Sequence, residues 1–333
     1  MSSLIGSLTD LLTPQALETL GKTLNLDEQT IQQGIGVAGP LLLQGLSSQS
    51  QSTAGLDAIM GMLPADDTSE TANMLGQVLK MFGGSGATLA SAGMLNSIFS
   101  AGLPAISKTL RDRLGFDVTP LIAAAAPMLL GLLKQRAADE TLDSSAIAQL
   151  LQTEAAATRA TLAPDVDAAL TDAFRAAEEA EQVRSAFSDD DWAKVRLAPL
   201  AATYYVMSAS PSGMVGSVQE ITAAGDAMKD LLANSSATSL VNVAFGAVSA
   251  GFEGDSGLDQ QADRAEFLAL LQTAAAAVKR SAPEDAAAFA AVITSLGTTV
   301  AEAAKEGGFL GIGAKKVSQD EQQALSEIAA AVA

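Results

Sequence analysis

Four groups of residues have the types and spacing that could do chemistry. Gly34-Ile-Gly36-Val-Ala-Gly39 fits G-x-G-x-x-G, the pattern that lets a backbone approach a pyrophosphate, and Asp57 follows 18 residues later. That chemistry needs a strand before the glycines, and DEQTIQQ before Gly34 reads as a helix capped by Asp27, so the glycines read as close helix packing. Asp255, Asp259, Asp263 and Glu266 fall at positions 1, 5, 9 and 12 of a calcium-type loop. Gln260 stands where that loop needs its glycine, and an acidic run into a helix start explains the same residues. Asp189-Asp190-Asp191 could face a magnesium ion, but after Ser188 it reads as a capped first helical turn. Trp192, Tyr204 and Tyr205, the only Trp and both Tyr, fall within 14 consecutive positions. They read as anchors of a helical core around a bend at Pro199, with an interface as the alternative.

Nucleophilic chemistry finds little to work with. The 333 residues contain no His and no Cys, which removes imidazole and thiolate mechanisms and the metal sites built on them. S-x-x-K is absent, and Gly83-Gly-Ser-Gly-Ala87 misses G-x-S-x-G at its last position. A paired-carboxylate hydrolase stays open, because such pairs meet in space rather than in sequence. No catalytic, cofactor-binding or metal-binding residue is therefore assigned, and no cofactor is expected.

The charge is lopsided: 38 acids against 19 bases, a net of −19. Residues 1–140 hold 12 acids and 7 bases (−5), which leaves 26 and 12 (−14) for the rest. Nucleic-acid binding rests on cations that neutralise phosphate, so it is not expected here. The most apolar run, Leu121–Leu133, is 13 residues, short of the roughly 20 that span a bilayer. The start of the chain lacks a basic stretch followed by a long apolar one. A cytoplasmic protein with no membrane span is the expectation.

The elements that must carry these residues read as helices throughout. Thr13-Pro14 and Thr119-Pro120 look like caps before a first-turn proline. Asp67…Glu70, Ser188…Asp191, Ser281…Glu284 and Ser318…Glu321 have cap-then-acid spacing. Gly83-Gly84, Gly115, Gly254 and Gly307-Gly308 sit at stops. Alternating β-branched patterns are missing, and only short pieces such as Thr238–Val243 are ambiguous. The fold class is all-α, a multihelical array around buried apolar helices with a second helical lobe. An apolar Gly/Met/Leu half (1–138) gives way to an Ala/acid-rich half (143–333) across QRAADETLDSS.

The first half contains a repeat. LGKTLNLD (20–27) precedes Gly39-Pro-Leu-Leu-Leu43 and Gly45; LRDRLGFD (110–117) precedes Ala126-Pro-Met-Leu-Leu130 and Gly131. Each copy reads as a polar helix, a tight corner, and an apolar proline-containing core helix. The second copy, with LGFD at 114–117 and PMLLGLL at 127–133, resembles the bacterial YidB-like family of unknown function over roughly residues 10–136. The first copy departs in having Asn25 for the corner glycine, a residue that tolerates the left-handed conformation. The resemblance implies a multihelical array around a buried central helix and no catalytic residue. The expected role is structural or in protein interaction, through a protein partner or homo-oligomer. A small-molecule or lipid-binding helical protein is the second reading and a carboxylate-based hydrolase the third.

Overall fold

The computed structural model describes residues 3–63, 93–209, 213–246, 258, 262–303 and 317–333. All regular structure among them is helical. The α-helices are α1 (Leu4–Asp10), α2 (Pro14–Leu24), α3 (Glu28–Gln49), α4 (Thr53–Met62), α5 (Leu103–Leu114), α6 (Thr119–Asp139) and α7 (Ser144–Thr161). They continue as α8 (Pro164–Ser185), α9 (Asp189–Met207), α10 (Gly213–Asn234), α11 (Leu240–Phe245), α12 (Arg264–Ser281), α13 (Ala286–Ala303) and α14 (Gln319–Val332). A further helical stretch covers 93–99. The chain divides into two compact units, Met1–Arg175 and Ala176–Ala333, and the division falls inside α8.

In the first unit the two copies of the repeat are helix–corner–helix units, α2–α3 and α5–α6, and α2 packs on α3. Both corners turn left-handed: Asn25 at φ 54° and Gly115 at φ 80°. Asp27 then caps α3 by accepting the Thr30 N–H, and Asp117 accepts the Thr119 N–H at 2.9 Å. Thr119 is thus not the cap expected from its place before proline; it is the first helical residue, and the corner aspartate does the work. The long second helices, α3 and α6, pack against each other, with α1 on α6 and α7 on α3. Their apolar residues face inward almost all round, from Leu41, Leu42 and Leu43 on α3 to Leu129, Leu130 and Leu133 on α6.

Both core helices run through a proline, Pro40 or Pro127. A mid-helix proline leaves the carbonyl four residues earlier without its N–H. For Pro40 that carbonyl belongs to Gly36, which is exposed, so water can take the lost partner's place. Among the described residues, two helical stretches are long and apolar enough to cross a membrane by length and composition, Thr119–Asp139 and Pro283–Ala303. The first is the repeat's own core helix.

The second unit is built around α9, which packs on α12, α13 and α14 and on the short α11. α9 and α12 run antiparallel: Arg280 at the end of α12 reaches Asp191 in the first turn of α9, while Arg264 at its start lies 4.6 Å from the Tyr205 ring centroid. α11, from the ambiguous Thr238–Val243 region, is buried at all six positions. Ser318 closes a full capping box with Glu321 at the start of α14. Ser281 does not cap: α12 runs through it, and a 3₁₀ turn at Pro283–Asp285 follows. The expected signals at Asp67–Glu70, Gly83–Gly84, Gly254 and Gly307–Gly308 lie outside the described residues.

Candidate functional site

The three glycines of the G-x-G-x-x-G pattern all lie inside α3, with no strand before them. They serve packing, and unequally. A Cβ on Gly34 would meet Leu121 Cδ1 at 2.1 Å and one on Gly39 would meet Ile5 Cδ1 at 3.0 Å, while one on Gly36 would meet nothing within 4 Å. The pattern therefore marks where neighbouring side chains press on α3, and a phosphate cradle is not formed. Of the calcium-type loop, Asp255, Asp259 and Gln260 lie outside the described residues. Asp263 and Glu266 lie at the start of α12.

The Asp189–Asp191 run is the first turn of α9, and Ser188 donates its hydroxyl to Asp191 while accepting that residue's N–H. Each aspartate has a cation of its own: Arg184 for Asp189, Lys194 for Asp190 and Arg280 for Asp191. The Ser188 hydroxyl, then Arg280, holds the Asp191 carboxyl below the usual range. Three carboxylates divided among three cations are arranged as a helix start rather than converging on one ion. Among the described residues no three potential ligands gather into a metal-holding group.

The aromatic trio splits between core and rim. Trp192 is buried, 5.5 Å from Phe187, with the Arg184 guanidinium 5.4 Å from its ring centroid. Tyr205 is buried and donates its hydroxyl to Glu327 of α14, and Arg264 also reaches Glu327, at 3.4 Å. Tyr204 is half-buried and stacks on Phe267, with centroids 6.0 Å apart. Burial, then the bond to Glu327, raises the Tyr205 hydroxyl above its ordinary value, and the same bond lowers Glu327. The folded state therefore holds the Tyr205 proton in a pH range where the unfolded chain has released it. This share of stability is complete below about pH 10, the unfolded value, and drains away as pH rises through the folded one. Tyr205→Phe should cost about 1–2 kcal/mol at neutral pH through the lost bond. Its deficit against the parent should shrink above pH 10, as urea midpoints measured across pH would record. A deficit that stays constant would mean the hydroxyl does not titrate with folding.

Sequence reasoning had no way to find Glu154. It sits in α7, buried, where its Oε2 accepts the Leu4 N–H at the start of α1 (2.9 Å) and its Oε1 lies 3.5 Å from Arg136. Beside it a cavity of about 490 Å³ is lined by Leu4, Ser7, Leu132, Gln135, Arg136, Asp139 and Glu140. Arg136 is held between Glu140 (3.0 Å) and Glu154, so its charge is already met inside the protein. A Glu 150 residues from the N–H it accepts leaves no local signature.

Comparison with curated proteins and with solved structures returns no match for this chain. Residues 7–136, which hold both copies of the repeat, match the family described as "Bacterial protein of unknown function (DUF937)".

Proposed function

We propose that this protein works without catalysis, as a structural or protein-interaction component whose helical surfaces meet a partner protein or a second copy. The support for this reading is the way the charged groups are spent. Asp27, Asp143 and Ser188 cap helices, Glu321 completes a capping box, and Glu154, Glu327 and the Asp189–Asp191 run tie elements together. Groups used in this way stiffen a scaffold; catalysis would need them to converge on a space that a substrate can enter.

Sedimentation velocity across a hundredfold range of concentration, with a pull-down from the source cell, tests the reading. Self-association, or a stoichiometric protein partner that survives dilution, is the expected result. A concentration-independent monomer with no partner would sink it. The cavity beside Glu154 favours a second reading, a small-molecule carrier, which a compound co-purifying with the protein and seen by native mass spectrometry would support.

A further inference from the structure

The cavity beside Glu154 lies between α1 and the end of α6, and its charges do not balance. Leu4 and Leu132 are buried and form its floor, while the exposed Gln135, Asp139 and Glu140 stand at its mouth. Among the described residues that line it, Arg136 is the one cation. Its guanidinium lies 3.0 Å from Glu140 and 3.5 Å from Glu154, a residue only 9% exposed. One guanidinium against Asp139, Glu140 and Glu154 leaves two negative charges in excess. An anion entering here would have to compete with carboxylates that the fold already holds against Arg136.

The end of α6 adds to the same sign. Gln135, Arg136 and Asp139 belong to its last turns, and a helix C-terminus carries about half a unit of negative charge. The carbonyls of Arg136, Ala137 and Ala138 already accept from Glu140, Leu142 and Thr141, so this end supplies field rather than ligands. A bare metal ion fits poorly. A leucine floor offers it no oxygen, and among the described residues no three potential ligands gather into a metal-holding group. We propose that this cavity binds a small aliphatic amine in its protonated form. The aliphatic stem lies against Leu4 and Leu132, and the ammonium donates to Asp139 and to the oxygens of Ser7 and Gln135. A volume of about 490 Å³ falls in the range of small-molecule sites, roughly 300–1,000 Å³. Such a ligand rests on the carrier reading and gives it a chemical class.

The probe is cadaverine, a diamine on a short aliphatic stem. It is titrated calorimetrically into the full chain in about 0.15 M sodium chloride, where exposed charges beyond about 8 Å are screened. A single saturable site, roughly millimolar or tighter, is expected. Pentanoate, a chain of the same length with the opposite charge, should give no saturable heat, and excess magnesium should not displace the diamine. Asp139→Asn should weaken binding about tenfold, the worth of a hydrogen bond between charged groups. It should melt with the parent, because Asp139 is exposed. Glu181→Gln removes one exposed charge from α8 in the second unit and should leave the affinity unchanged. No saturable binding of cadaverine, tighter binding of pentanoate, displacement by magnesium, or equal losses in the two variants would overturn the proposal. A co-purifying compound of another class, seen by native mass spectrometry, would keep the carrier reading while the amine fails.

Discussion

Phe289→Ala should lower the unfolding free energy of the second unit by about 3–5 kcal/mol, the usual cost of deleting a buried aromatic ring. Phe289 is 1% exposed on α13 and lies 6.0 Å, centroid to centroid, from Phe245, itself 0% exposed, at an interplanar angle of 43°. That tilted arrangement contributes beyond simple burial, because ring edges meet ring faces. The loss also isolates α11, whose six residues are all buried and whose last member is Phe245. So short a helix has little stability of its own and depends on the surfaces around it. Since a domain is stable by only about 5–15 kcal/mol, the variant should unfold at much lower urea. Trp192 lies in this unit, so its fluorescence follows the transition. A loss below 1 kcal/mol would mean that the two rings do not share a packed core.

The second large effect is a contrast along α3. A Cβ on Gly45 would stand 2.6 Å from Phe99 Cε1 and 2.8 Å from Ile98 Cγ2, against side chains that are themselves buried. An aromatic ring and a β-branched residue have little freedom to step aside, so Gly45→Val should cost about 1–3 kcal/mol or more from overpacking. Gly36, on the same helix, has open space around it. Gly36→Ala should therefore raise stability by about 0.5–1 kcal/mol, the ordinary gain from replacing helical glycine. Thermal unfolding followed by circular dichroism at 222 nm compares the two. Equal effects at both positions would show that α3 is not pressed by 98–99.

The two glycines also show how far the sequence could be read. Much that depends on near neighbours was legible: the corners at Asn25 and Gly115, the Thr13, Ser188 and Ser318 caps, and the apolar circumference of α3 and α6. Each is set by one residue's φ/ψ preference or by a side chain bonding three positions on, so a window of a few residues contains the whole cause. The Thr119 and Ser281 expectations failed within that same window. A cap-type residue beside proline or an acid is only permitted to cap; at Thr119 the corner Asp117 competed and won.

The candidate site was far less legible. The Asp189–Asp191 run was read correctly as a helix start, but one of its three cations, Arg280, comes from 89 residues away. Glu154 and its N–H partner at Leu4 are separated by 150 residues. By itself, the sequence determined that the chain is helical, where several of its helices start, and that the first half repeats a helix–corner–helix unit with a buried second arm. Only the tertiary structure decided which glycines carry a neighbour's weight and which carboxylates are spent on which cations. Helix formation and capping act over three or four residues, whereas charge pairing and packing depend on distances that the chain closes only when its helices come together.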